Sequence, residues 1–293
     1  MSNFRVTSVV AALILLSGCS ALPLRFPWQS VSDQHPSING HADSNDEGGP
    51  QPKSKISKQG LSLPPLMELA DAGVPPATKQ EIASCVKTLG LTEEEDQTAD
   101  TTNFGDRKVV DTWKRPLQAE PLIIVLHETV ISEKATVAFF QTPHPNDADQ
   151  ASYHMLIARD GTRVRIVPDE KRAYGAGMSA FGDVTQRTKP SSVGSVNNIA
   201  LHISLVSPED GRDDRSGHSG YTQAQYRTLA AQVLLWQAKF GIPLTRLTTH
   251  EAIDRSHSRY DPRSFRWDRF DPEYQASARL CGFERFDNGQ AGL

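Results

Sequence analysis

Apolar and polar positions follow two periods along this chain, and the switches between them mark out its elements. Leu122 to Leu126 is an uninterrupted apolar run, the pattern of a central strand buried on both faces. Ile199 to Val206 alternates instead. Ile199, Leu201, Ile203 and Leu205 share one face, and Ala200, His202 and Ser204 share the other. Tyr153 to Ala158 and Thr162 to Val167 flank Asp160-Gly161, which predicts a hairpin. Over Tyr221 to Phe240 the period becomes helical, with Tyr226, Leu229, Val233, Trp236 and Phe240 in one stripe. Thr222 and Gln225 form a capping box before that helix, and Gly241 stops it. A shorter helix is predicted after Pro75-Pro76, with Thr78 as N-cap, Glu81 completing a capping box, a stripe of Ile82, Val86 and Leu89, and Gly90 as the stop. A last helix is predicted over Pro272 to Leu280. Strands interspersed with helices on one side of the sheet imply an α/β (α+β) fold, a central mixed β-sheet with helices packed on it. The polar face of that sheet is left to form a cleft.

The N-terminal pattern differs from all of this. Arg5 precedes an apolar run from Val6 to Leu16, which is shorter than the roughly 20 residues a spanning helix needs and reads as an export signal. Leu16-Ser17-Gly18-Cys19 follows and resembles a bacterial lipobox, which implies acylation of Cys19 and a lipid link to a membrane. The other reading is an ordinary signal peptide with an incidental cysteine. Ser20 in place of an aspartate favours the periplasmic side of the outer membrane over the cell membrane. Residues 30–60 are rich in Ser, Asn, Asp, Gly, Pro, Gln and Lys and too poor in apolar residues to offset ordering entropy, so they read as a tether. The expected organisation is therefore a signal peptide at 1–18, the lipidated cysteine and linker at 19–60, a short helical extension at 61–102, the main domain at 103–286 and a tail at 287–293. A net charge of −4 and 38% hydrophobic residues suit one good core and argue against a nucleic-acid partner. A monomer is expected. Besides Cys19 the chain has Cys85 and Cys281, which could pair in an oxidising compartment or stay as buried thiols.

Candidate chemistry begins at His127, which closes the apolar strand. An imidazole buried there without a partner costs about 1–3 kcal/mol, a need that a metal or a structural hydrogen bond would equally meet. His250 follows another short extended run, Leu247-Thr248-Thr249, and Asp261-Pro262 comes soon after. Two imidazoles and a carboxylate with one position open form a ligand set typical of catalytic zinc. Neither His127-Glu128 nor His250-Glu251 opens an H-E-x-x-H motif.

An ordered series of segments then becomes recognisable from Pro121 to Phe270. It runs through Ile123-Ile124-Val125-Leu126-His127, then Ser152-Tyr153-His154 to Asp160-Gly161, then Val167-Pro168-Asp169 to Ala176-Gly177. Asn198-Ile199-Ala200-Leu201-His202-Ile203 follows, and Thr249-His250-Glu251 through Asp261-Pro262-Arg263 closes it. The series resembles the type 2 N-acetylmuramoyl-L-alanine amidases, zinc enzymes related to a phage lysozyme and to peptidoglycan recognition proteins. That resemblance implies a zinc-dependent cut between N-acetylmuramic acid and L-alanine in peptidoglycan or muropeptides, with one Zn2+ on His127, His250 and Asp261. It implies that Tyr153 stands beside the zinc-bound water. It also implies that Arg259, where the family usually has lysine, stabilises the oxyanion electrostatically. His202 stands where many bacterial members carry a glutamate base. It is expected to face the cleft and to take and return a proton there. A wall-binding lipoprotein of the same fold without turnover is the alternative. Gly175 replaces a substrate-binding histidine of many relatives, which leaves Arg172 and Tyr174 as candidate contacts for sugar or stem peptide, with Ser179 weaker. His154 reads as structural or cleft-lining, and His218 and His257 as solvated surface histidines.

Overall fold

A computed structural model describes residues 73–190, 193–213 and 215–287. The predicted signal segment, Cys19 and the whole linker to residue 60, residues 61–72 of the extension and most of the tail lie outside the described residues. In chain order the helices are α1 (Lys79–Thr88), α2 (Glu133–Gln141), α3 (Gln223–Phe240), α4 (His250–Ile253) and α5 (Trp267–Cys281). The strands are β1 (Glu95–Asp96), β2 (Phe104–Asp106), β3 (Ile123–Glu128), β4 (Met155–Ile157), β5 (Arg163–Arg165), β6 (Lys171–Ala173), β7 (Ala200–Leu205) and β8 (Leu247–Thr249).

Among the described residues, six strands form one mixed sheet in the order β1-β5-β4-β7-β3-β8, and β2 pairs with β6 separately. β3 lies between β7 and β8, parallel to both. β4 runs parallel to β7 and pairs antiparallel with β5 across the Asp160-Gly161 turn, so the hairpin forms with shorter strands than its apolar pattern spans. The period-2 logic sets the two faces. Ile124 and Leu126 of β3 join Leu201, Ile203 and Leu205 in the large core under α3 and α5. Ile123 and Val125 point the other way and join Ala200, Val196 and Ala176 in a smaller cluster covered by loops.

Helix α3 forms as its pattern dictates, with the Thr222–Gln225 capping box in place and Leu229, Val233 and Trp236 at most 1% exposed. Burying one such side chain fully is worth about 1.5–3 kcal/mol. Gly241 ends the helix in the left-handed region at φ 68°, and a Cβ there would collide with the carbonyl of Val74. That close approach docks the preceding segment, because Val74 N donates to Gly241 O and Ala77 N to Ala238 O.

Helix α1 carries its Thr78–Glu81 capping box. The segment around it also gives the sheet its edge strand, since β1 pairs parallel with β5. The buried Arg163 of β5 holds this segment by donating to Glu94 Oε1 at 2.8 Å and to the carbonyls of Leu91 and Glu93. Cys85 and Cys281 form a disulfide that joins α1 to α5. Helix α5 departs from the sequence reading. It starts at Trp267, and Pro272 lies inside it. The reason is packing: Phe270 and Tyr274 are both buried and need one continuous helical face across the proline. No helix among the described residues is long and apolar enough to cross a membrane.

Candidate metal centre

His127 falls in step with Ile123 and Val125 on the loop-covered face of β3, near that strand's C-terminal end. His250 opens α4 immediately after β8, and Thr249 caps that short helix by accepting from Ala252 N at 3.2 Å. Because β3 and β8 are adjacent and parallel, their carboxyl ends bring the two imidazoles together, the usual place for a site in such sheets. Asp261 arrives on the following loop, which is tied back where Glu251 N donates to Asp261 O at 3.1 Å. One donor atom from each of His127, His250 and Asp261 lies within 4.8 Å of the other two. Nδ1 of His127 is 3.2 Å from Oδ2 of Asp261, and Nδ1 of His250 is 2.9 Å from Oδ1.

The electrostatics suit a cation. Burial works against the Asp261 carboxylate, but the neighbouring His250 and His127 outweigh it and hold its pKa far below the usual carboxylate range. Burial, followed by the charge of His250, lowers His127 to about 4, so the imidazole is neutral and keeps a lone pair. Nδ1 of His250 is close to the carboxylate without the alignment of a hydrogen bond, and it has no hydrogen-bond partner. An orphaned buried nitrogen, a neutral imidazole and an ionised carboxylate converging on one point are a donor set that fits a tetrahedral cation with one position open.

Tyr153 stacks on His127, with ring centroids 4.5 Å apart, and packs edge-on against Phe140. Burial, followed by the Asp261 carboxylate, pushes its phenol well above the ordinary range, so it keeps its proton and can donate it in a hydrogen bond. Arg259 lies half-buried on the loop before Asp261, its backbone N donating to Asp254 Oδ2 at 3.0 Å, and its charge acts on both His127 and Tyr153. His202 shares the face of His127, as the alternation required. Its ring is 0% exposed, as is that of His127, and Gly175 packs against it. Burial, with His127 and His154 close by, holds its pKa well below the ordinary imidazole value. Arg172 is buried in β6 with its guanidinium over the ring of the half-buried Tyr174, 5.3 Å from the centroid. His154 is a structural histidine: its Nδ1 accepts from His202 N at 2.9 Å. His257 is exposed, as expected.

His218 requires correction. Its side chain is fully buried, with Nε2 3.1 Å from Oε2 of Glu128. Glu128 itself escaped the sequence reading. It accepts from Arg263 Nε at 2.6 Å and Ser207 Oγ at 3.0 Å, and Arg263 spreads its other nitrogens over the carbonyls of Gly211, Asp213 and Arg215. Burial alone would raise the Glu128 pKa, but hydrogen bonds from His218 and Arg263 hold it below the ordinary value. One signal could have found it. Glu128 falls in step with Ile124 and Leu126, and a carboxylate on the helix-covered face must have a buried partner.

Residues 117–264 match the family described as N-acetylmuramoyl-L-alanine amidase. A 1,6-anhydro-N-acetylmuramyl-L-alanine amidase, AmpD, of Citrobacter freundii is 32% identical over 121 residues, which cover 41% of this chain and 56% of that protein. Its counterpart in Salmonella typhimurium strain LT2 is 29% identical over 170 residues, 53% of this chain and 82% of the relative. The chain thus spans little more than half the length of the first of these relatives. A crystal structure of a selenomethionine AmpD derivative is similar at 25% identity with a TM-score of 0.44, over 62% of this chain and 94% of that one. The E. coli amidase AmiD, solved with an anhydro-N-acetylmuramic acid peptide, is 19% identical with a TM-score of 0.42, over 55% of this chain and 61% of that one.

Proposed function

The chain belongs to the N-acetylmuramoyl-L-alanine amidase family, and on that premise we propose that it is a zinc-dependent amidase acting on peptidoglycan or muropeptides. The bond cut joins the lactyl carbonyl of N-acetylmuramic acid to the nitrogen of L-alanine. The observation that carries this reading is the convergence of His127, His250 and Asp261 within 4.8 Å on the loop-covered face of the sheet. A zinc ion held there supplies Lewis acidity, both to acidify a water and to polarise the scissile carbonyl.

The protein's own groups do the rest. His127 and His250 each offer a ring nitrogen, and Asp261 offsets the positive charge of the ion. Tyr153, fixed against His127, can hydrogen-bond the attacking water, or pass its proton to the departing alanine nitrogen and take back the one the water loses. Arg259 stabilises negative charge growing on the carbonyl oxygen and gives up no proton in doing so. Tyr174, backed by Arg172, contacts the sugar or stem peptide. The Cys85–Cys281 disulfide supports an oxidising compartment, in keeping with export and a lipid on Cys19 that holds the monomeric enzyme at the periplasmic side of the outer membrane.

The test is incubation of the full chain, in detergent, with purified muropeptides. Those carrying the 1,6-anhydro sugar come first, because the Citrobacter and Salmonella relatives are named for it. Release of a stem peptide with a new L-alanine amino terminus is expected. Zinc-loaded protein that binds muropeptide and releases nothing would instead make the chain a wall-binding lipoprotein.

A further inference from the structure

The two nitrogens of His127 face different neighbours. Nδ1 is turned to Asp261, and Nε2 lies 2.9 Å from Nδ1 of His202. His202 is held in place by its backbone, since its N donates to His154 Nδ1 and its carbonyl accepts from His154 N, each at 2.9 Å. Its own Nε2 is buried without a hydrogen-bond partner. Among the described residues, the polar side-chain contact of His202 is therefore the imidazole of His127.

We propose that His202 is a positioning residue that locks His127 in the tautomer able to bind a cation through Nδ1. The inference rests on the metal reading above and assigns a role that reading leaves open. A neutral imidazole has one proton. If it sits on Nδ1, it is donated across 3.2 Å to Asp261 Oδ2, and one hydrogen bond occupies two of the three donors the cation needs. If it sits on Nε2, both Nδ1 and the carboxylate are free. With the His202 proton on its own Nε2, the lone pair of His202 Nδ1, 2.9 Å away, accepts from His127 Nε2 and selects the second arrangement. This is the outer-shell hydrogen bond that metal-binding histidines commonly make, supplied here by an imidazole in place of a carboxylate or carbonyl. Gly175 belongs to the same device. A Cβ at that position would lie 2.5 Å from Cγ and Nδ1 of His202, so the absence of a side chain there is what lets the ring reach His127. Glycine is required here for space; its backbone is not in the left-handed region.

The test uses the full chain with 15N-labelled histidine. It reads zinc affinity by chelator competition and the proton position on His127 by imidazole nitrogen shifts. His202→Leu is expected to weaken zinc binding by roughly 10–100-fold and to deplete the Nε2–H form of His127. His202→Asn, whose carboxamide oxygen can accept the same proton, is expected to recover most of both. Gly175→Ala keeps His202 but displaces it, and should shift both readouts in the direction of His202→Leu. Wild-type affinity and nitrogen shifts in His202→Leu would overturn the proposal. So would an Asn variant as impaired as the Leu variant, which would reduce the role of His202 to filling space. Wild-type protein that binds no zinc would overturn the metal reading itself, a result distinct from either.

Discussion

His127 and Glu128 are consecutive residues of one strand, both buried and both ionisable, yet their surroundings differ in kind. Glu128 points to the helix-covered face, where Arg263, His218 and Ser207 satisfy its carboxylate. His127 points to the loop-covered face, among an aspartate, a second imidazole with an orphaned nitrogen and a third imidazole holding its far side. The first environment is closed, and every donor there has been answered. The second converges on a point and leaves electron pairs unspent. A buried charged cluster is thus read by whether its partners saturate it, since burial and charge are common to both. The two are also joined, because Arg263 and Asp261 lie on one loop and Glu128 N lies 3.4 Å from Asp261 Oδ2. The clamp on one face therefore positions Asp261 on the other.

Substitutions separate the two environments. His127→Ala should abolish zinc binding and muropeptide turnover while the circular dichroism spectrum stays that of the folded protein. Glu128→Ala should act through the fold. It takes from the buried Arg263 its 2.6 Å carboxylate partner and leaves the longer Asp213 pair and three carbonyls, and loss of one partner of a buried pair costs up to about 3–5 kcal/mol, readable by urea denaturation of the metal-free protein. Tyr153→Phe should lower kcat by roughly 10²-fold with zinc affinity unchanged, the loss expected of a proton donor that is not a ligand.

The smallest expected effect concerns pH. Burial, followed by the charge of Arg107, lowers His154 to about 3 from the ordinary 6.5. Between those values the unfolded chain binds the extra proton. Stability is therefore full above pH 6.5 and declines as pH falls, by at most about 1.4 kcal/mol per pH unit for this histidine. Comparing urea midpoints of wild type and His154→Asn at pH 7 and pH 5 would check it, with the shallower decline expected in the variant.

What the sequence made legible was local. Thr78 with Glu81, Thr222 with Gln225, and Asp160-Gly161 each act within a few residues, and each did what its pattern requires. Alternation along Leu122–Leu126 and Ile199–Val206 placed His127 and His202 on one face, and family order named His127, His250 and Asp261, which the fold brings within 4.8 Å of one another. The remainder depends on partners far apart in the chain. Glu128 and Arg263 are 135 residues apart, and Cys85 and Cys281 are 196 apart. His218 lies among Asp, Arg, Ser and Gly, the composition of a surface loop, and only the fold carries that loop to Glu128. His202 shows a finer limit. Its face was readable from the alternation, but its packing against Gly175 was not, because no local period records which loop crosses a strand.

The central claim is tested most directly by following release of the alanine amino terminus from muropeptide before chelation, after it, and after zinc is returned. Turnover that is lost on chelation, restored by one equivalent of zinc and absent throughout in His127→Ala is the expected result. Turnover that survives chelation, or that His127→Ala retains, would contradict the account.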